Sequence, residues 1–217
     1  MSNLKTTSYK RYIDNLNDLR TFVNDSHKVQ LGQSSGSGAE QFVIEHANFL
    51  TKSALVQLCV CLESYLKDVL SEIYKEYQQR VANANLPKNV IVIASRDKEN
   101  KFSKAAVNKA TKDLEKRENA EAIFLLQENE NGFDDFISGN PDRTKVAFSY
   151  MGIDLDKVSS YIQHKDLIQS IVLKRNKVLH YNDQASDLTF PDVIQISAVF
   201  EEYVEDIDAT IQTAIAS

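Results

Sequence analysis

The chain has 217 residues, enough for one domain with a sizeable hydrophobic core. Hydrophobic residues make up 42% of it and charged residues 26%, with only 6 glycines and 3 prolines. That composition disfavours a turn-rich all-β fold and favours long helices. The net charge of −6 argues against nucleic-acid binding over the whole surface, so an RNA site would have to be a local basic patch.

The sequence predicts a cytoplasmic protein without a membrane segment. Its first 14 residues are polar and lack the apolar core of a signal peptide. The most apolar stretch, Ala54–Leu62, spans nine residues and is too short to cross a bilayer. Cys59 and Cys61 lie two apart in that stretch, on different sides of a helix, so we expect two small buried side chains and no disulfide.

The first half of the chain predicts two helices. Apolar residues recur three and four apart over Ser8–Asp25, which predicts the first helix. Glycine and serine dominate Gln30–Gly38, which predicts a flexible loop. The second predicted helix runs from Ala39 to about Ala84 and is apolar almost all the way round in its middle. Such a helix lies at the centre of a bundle or in an oligomer interface.

The middle of the chain, about residues 87–152, is predicted to be a partly helical insertion between core helices. Val90–Ile93 fits either a short strand or a buried turn, and Ser103–Glu118 has the mixed charges of a solvated helix. Breaks are expected at Asn131-Gly132 and at Gly139-Asn-Pro141.

The last third predicts two further helical segments. Leu155–Tyr181 holds one or two helices, and Thr189-Phe-Pro-Asp192 has the form of a helix start with a capping hydroxyl, a proline and an acid. Apolar residues then recur at heptad-like spacing to the C-terminus, while Glu201–Ser217 carries five acids and no base, so its outer face is not an RNA surface. We therefore predict an all-α bundle with a long central helix, folded as a single domain. The apolar positions of the last helix are Val193, Ile196, Phe200, Tyr203, Ile207, Ile211 and Ala214.

An arginine lies within an apolar stripe of the helix before the last one. When successive residues are placed about 100° apart, Arg175 falls inside the wedge formed by apolar neighbours, whereas Ser170, Lys174 and Lys177 point the other way. A guanidinium cannot lose its proton, so it needs a carboxylate, a phosphate or a water-filled cleft. The stripe residues are Ile168, Ile171, Val172, Val178 and Leu179.

Two interpretations of this arginine stay open on spacing alone. In the first, Arg175 pairs with an acid on the central helix, such as Glu63 or Asp68, and His180 merely ends a helix. In the second, Arg175 binds phosphate oxygens as a planar donor fork, and His180 moves a proton near neutral pH. Asn176 lies four residues before His180 and therefore on the same flank.

The segment Arg175-Asn-Lys-Val-Leu-His180 resembles the Arg-x4-6-His signature of the HEPN superfamily of helical ribonucleases. The residue after the arginine, Asn176, is similar to the polar residue usual at that place. Leu62-Glu-Ser-Tyr-Leu-Lys67 looks like the core helix of the family, and the short loop Asn182–Leu188 before a capped last helix also follows it. The likeness is strongest to the stand-alone toxin and defence branches.

The resemblance implies a homodimer in which Arg175, Asn176 and His180 of two subunits form one catalytic site. Cleavage would need no metal or other cofactor: the RNA 2′-hydroxyl attacks its own phosphate and leaves a 2′,3′-cyclic end. His180 would be the general acid and base, Arg175 would stabilise the phosphorane charge, and Asn176 would orient the substrate or His180. The implied partners are RNA, a second copy and an antitoxin or defence-system protein.

Further binding residues are expected around this motif. Lys174, Lys177 and Tyr181 are candidates for contacting the substrate, Tyr181 either by stacking on a base or simply by packing at the helix end. In the branch silenced by nucleotidyl transfer, one residue separates the histidine from a tyrosine. Here Tyr181 follows His180 directly, which does not support that antitoxin mechanism.

Other functional classes have weaker support. No Glu-x-x-His, His-Glu-x-x-His or paired Cys-x-x-Cys spacing occurs, and His164 is predicted on an exposed helix face. A non-catalytic helical interaction or nucleotide-binding module remains an alternative, and it predicts that a carboxylate of the same chain seals Arg175. A regulator that binds nucleic acid through the basic stretch Arg96–Arg117 is a third possibility, although a solvated face explains that stretch better.

Overall fold

The computed structural model describes residues 5–33, 39–79, 138–181 and 188–216. Its architecture is all-α, as the hydrophobic periodicity predicts. Within these ranges the chain forms six α-helices, one short 3-10 turn and no strand. The helices are α1 (Thr7–Gln30), α2 (Ala39–Glu45), α3 (Ala47–Gln79), α4 (Pro141–Tyr150), α5 (Ser159–Tyr181) and α6 (Phe190–Ala216), and the 3-10 turn is Leu155–Lys157.

The long central helix is α3, and it packs against α1, α5 and α6. Its side chains dominate the core because apolar residues occupy nearly every direction around its middle. By length and composition α3 is also the one helix, in the part of the chain described, that could span a membrane, but half of that segment is buried inside the fold. We interpret it as a core helix. Its fully buried residues include Leu55, Leu58, Leu62, Leu66, Val69 and Leu70.

The predicted helix boundaries in the first half of the chain need two corrections. The first helix begins where expected but continues to Gln30, five residues beyond the predicted end. The second is two helices, since the chain is interrupted at His46 between α2 and α3. The predicted loop after Gln30 includes a glycine with a positive φ at Gly32, a conformation that suits a residue without a side chain. The predicted end of the second helix, residues 80–84, lies outside the described residues.

The predicted start of the last helix is confirmed. Thr189 and Asp192 bond reciprocally: the Thr189 amide donates to the Asp192 carboxylate at 2.8 Å, and the Asp192 amide donates to the Thr189 hydroxyl at 3.3 Å. From this cap, α6 runs to Ala216 and buries the face that the heptad spacing predicts. Leu155–Tyr181 likewise forms the 3-10 turn followed by one helix, α5.

The last part of the predicted insertion, which contains α4, contributes to the core. Asn140 caps α4 by accepting hydrogen bonds from the amides of Asp142 and Arg143, and Pro141 occupies the first turn. Ala147, Phe148 and Met151 are fully buried. Residues 80–137 lie outside the described ranges, so the insertion itself, with Val90–Ile93 and Ser103–Glu118, stays a prediction.

A buried carboxylate ties the two ends of the described chain together. Asp208 of α6 is fully buried and accepts hydrogen bonds from the hydroxyl of Thr6 and from the side-chain amide of Gln212. Thr6 in turn caps α1, because its hydroxyl accepts from the Tyr9 amide at 3.0 Å. Nearby, Glu72 of α3 accepts from the Ser8 amide at 3.1 Å. The N-terminus of α1 is therefore fixed by acids from α3 and α6.

Replacing Asp208 with alanine is expected to lower the free energy of unfolding by about 2–3 kcal/mol, because it leaves the part-buried donors of Thr6 and Gln212 without their acceptor. Urea denaturation followed by circular dichroism measures this change. Asp18→Ala, at an exposed position of α1, is the matched control and should stay within about 0.5 kcal/mol of the wild type. Equal effects of the two substitutions would contradict the role assigned to Asp208.

Candidate functional site

The inward stripe of α5 opens towards solvent at its C-terminal end. Ile168, Ile171 and Val172 are buried, as the helical spacing predicts, and Ser170 and Lys177 are exposed. Leu179 belongs to the same stripe by its angle around the helix, yet it is 52% exposed. The inward face of α5 is therefore buried in its first turns and exposed in its last turn. Arg175 lies between the buried and the exposed part.

Arg175 forms an ion pair with Glu63 of α3, and one guanidinium nitrogen, Nη2, donates to Glu63 Oε1. The two side chains are only 14% and 22% exposed, so the pair is largely withdrawn from water. A buried guanidinium requires such a countercharge. Asp68, the other acid considered from the sequence, pairs instead with Arg11 of α1. The structure thus selects one of the two predicted partners.

The Glu63 carboxylate is itself held by the backbone. Its Oε1 also accepts a hydrogen bond from the Gly139 amide at 3.0 Å, just before the start of α4. A Cβ atom at Gly139 would lie 3.2 Å from both Glu63 Cγ and Val172 Cγ2, which is tighter than ordinary contact. Glycine therefore lets the chain before α4 approach α3 and α5 closely. The sequence indicated only a chain break at Gly139 and gave no sign of this contact.

The two cysteines are free and buried, as predicted. Burial raises the pKa of the Cys59 thiol to about 12, although the Arg175 guanidinium beside it acts in the opposite direction. Burial also raises the pKa of Cys61, partly offset by a hydrogen bond from Gln57. Because the thiolate is the nucleophilic form, neither cysteine is suited to covalent catalysis near neutral pH.

The other candidate site residues lie next to Arg175 along α5. Asn176 and Lys174 are half-buried, whereas Lys177 is exposed. The helix extends through Tyr181, so the backbone of His180 lies in its last turn, one turn beyond Asn176. The side chains of His180 and Tyr181, and the loop 182–187, lie outside the described residues, and their predicted roles stay predictions.

The sequence predicted His164 on an exposed helix face, and this prediction is wrong because the side chain is buried. Its Nε2 lies 3.0 Å from Glu202 Oε2 of α6, with the ring covered between the two helices. The spacing around α5 gave no warning of this partner, which lies 38 residues further along the chain. Across the ranges that the structure describes, no three His, Cys, Asp or Glu side chains come together as a metal site requires.

Comparison with known proteins identifies the family. The family model described as RiboL-PSP-HEPN matches residues 7–213, nearly the whole chain. The chain belongs to this HEPN family. Neither the curated proteins nor the solved structures contain a match to it.

Membership of the HEPN family agrees with the helical fold of this protein and with its motif segment. The matched region includes α1 through most of α6, together with the Arg175–His180 segment that suggested the resemblance. HEPN domains as a class include many ribonucleases, and the all-α fold agrees with that class. The family therefore supports a nuclease-type or HEPN-like function without specifying the substrate.

A double-mutant cycle should show that Arg175 and Glu63 are coupled. Combining Arg175→Ala with Glu63→Ala is expected to give an interaction energy of about 1–2 kcal/mol, since the pair is shielded from solvent. The matched cycle on Arg11 and Asp68, whose side chains are 61% and 37% exposed, should give less than about 1 kcal/mol. Urea denaturation of the wild type and the six variants measures both, and equal coupling energies would contradict the assignment.

Proposed function

We propose that this protein is a metal-independent endoribonuclease of the HEPN type that acts as a homodimer. The observation that carries the proposal is the position of Arg175, a permanent cation at the point where an inward apolar stripe opens. Asn176 follows it directly and His180 comes one turn after Asn176, which is the spacing of the motif that the sequence resembles. A phosphodiester is an anion that a guanidinium binds well and that an imidazole can help to cleave.

The chemistry follows from the three side-chain types. The RNA 2′-oxygen attacks the adjacent phosphorus while His180, as general base, takes the hydroxyl proton. The bond from phosphorus to the 5′-oxygen breaks, and that oxygen takes up a proton from the acid form of the imidazole. Arg175 offsets the negative charge that accumulates on the non-bridging oxygens, and Asn176 orients the substrate or His180. The products are a 2′,3′-cyclic phosphate and a free 5′-hydroxyl.

A second copy of the chain fits the open end of the α5 stripe. Leu179 is exposed there, and Val60, adjacent to Cys59 in α3, is 41% exposed. Apolar side chains in such positions are covered when two identical surfaces meet around a twofold axis. The same contact would bring two copies of the Arg175–His180 segment together, which is the composite site expected for the family.

The biological setting that we propose is a toxin or an antiphage effector in the cytoplasm. An enzyme that degrades RNA harms its own cell unless it is restrained, so an antitoxin or a defence-system partner would control it. Lys174, Lys177 and Tyr181 are proposed to contact the RNA backbone or bases beside the motif. The acids of α6 make that helix a poor RNA surface, which favours approach along α5.

The alternative is a non-catalytic HEPN-like interaction or nucleotide-binding module. One specific observation favours it: the Arg175 charge is matched by Glu63 of the same chain, as this hypothesis predicts. The pair does not decide between the two functions, because a phosphate-binding arginine on an apolar stripe also needs a countercharge before its substrate arrives. The cleavage experiment separates them.

Purified wild-type protein is expected to degrade total RNA and a labelled RNA oligonucleotide in the presence of EDTA, leaving 2′,3′-cyclic ends. Arg175→Ala and His180→Ala should each slow cleavage at least about 100-fold, since each removes a group that acts on the reacting phosphate. Two substitutions are the matched controls: Arg11→Ala, which breaks the arginine–carboxylate pair between α1 and Asp68 of α3, and His46→Ala, at an exposed turn. Equal RNA decay in the wild type and the two site variants would favour the non-catalytic module.

Leu179→Glu is expected to weaken the dimer and reduce RNA cleavage together, because it places a charge on the proposed twofold contact. Light scattering coupled to size-exclusion chromatography measures the mass. Ile162→Glu is the matched control: Ile162 is 54% exposed on the same helix but lies near its other end. A monomeric wild type, or identical behaviour of the two variants, would rule out this interface.

A further inference from the structure

One oxygen of the Glu63 carboxylate serves two donors, one from Arg175 and one from the backbone. Its Oε1 accepts from one corner of the guanidinium, Nη2, and from the Gly139 amide at 3.0 Å. The Arg175 Nε atom is buried and has no hydrogen-bond partner among the described residues. The carboxylate therefore fixes one nitrogen of a donor group that carries five N–H bonds, and a second acceptor can reach only the 14% of the side chain that stays exposed.

A fixed guanidinium is a better binder of phosphate than a free one. An arginine side chain gives up rotamer entropy when it is held in one geometry. If this entropy is lost during folding, it is not lost again when RNA binds or when charge develops in the transition state. Glu63 is well suited to this task because a backbone amide holds it in turn.

The backbone contact depends on a close approach at Gly139. The space there is limited by Glu63 Cγ and Val172 Cγ2, each 3.2 Å from a Cβ built at that glycine. The segment before α4, the central helix α3 and the motif helix α5 therefore meet around one carboxylate. A carboxylate placed only to neutralise Arg175 would not need this second, rigid contact.

We propose that Glu63 is a positioning residue for RNA cleavage: together with the Gly139 amide, it holds the Arg175 guanidinium in a fixed place from which the exposed part of that side chain meets the phosphodiester. This inference rests on the proposed ribonuclease function. It differs from simple competition, in which Glu63 would occupy the phosphate site and its removal would strengthen RNA binding.

The test compares kcat and KM of full-length variants on a labelled RNA oligonucleotide. Glu63→Ala is expected to lower kcat about 10- to 100-fold while KM changes less than about 3-fold, since a loss of positioning acts mainly on the transition state. Glu63→Gln should recover most of kcat, because the amide oxygen still accepts from Arg175 and Gly139. Asp68→Ala, which removes the partner of Arg11 on the same helix, is the matched control and should leave both parameters unchanged.

Glu63→Asp is a milder substitution that tests the same role if Glu63→Ala fails to fold. It keeps the charge but withdraws the carboxylate by one methylene, and it is expected to lower kcat about 10-fold while its melting temperature falls less than that of Glu63→Ala. Wild-type kcat in Glu63→Asp, no recovery in Glu63→Gln, or a higher kcat or lower KM in Glu63→Ala would overturn the positioning role. Equal cleavage by the wild type and Arg175→Ala would instead overturn the ribonuclease function itself, so the two failures are distinct.

Discussion

A guanidinium keeps its proton inside a protein, so an arginine on an inward face must be met by an anion or by water. In this HEPN protein the anion is Glu63, and the consequences extend beyond the pair. The carboxylate joins the central helix α3 to the motif helix α5 and, through the Gly139 amide, to the chain that leads into α4. Three segments distant in sequence are thereby held at the position where cleavage would take place.

The Arg175–Glu63 pair is compatible with a ribonuclease and with a non-catalytic module. Its geometry indicates how the two functions are related. A carboxylate that satisfied the whole guanidinium would leave a structural arginine. A carboxylate on one corner leaves an anchored cation of which a small part stays exposed. A domain could therefore lose catalysis while keeping the pair, because the pair contributes to stability in either case. Family membership alone does not distinguish a ribonuclease from a relative that has only kept its fold.

The sequence predicted features that depend on local pattern and missed those that depend on packing. The cap at Thr189 and the buried face of α6 were correct because capping and helical spacing are local. The break at His46 was missed because no glycine or proline marks it. His164 was placed wrongly because its partner comes from another helix. Glu63 and Asp68 are about 140° apart around α3, and only the arrangement of its neighbours decides which of them faces α5.

The pairing of the first helix with the last has a consequence for synthesis on the ribosome. Thr6 contacts Asp208 across 202 residues of sequence, and Arg20 reaches Glu201 across 181, so the interface between α1 and α6 forms only after almost the whole chain has been translated. At about 5–20 residues per second, this delay lasts on the order of ten seconds or more. Until then α3 lacks part of its cover, and α5 packs on an unfinished core. Under the proposed ribonuclease function, a nascent or truncated polypeptide would consequently be inert, and RNA cleavage would begin only with the released product.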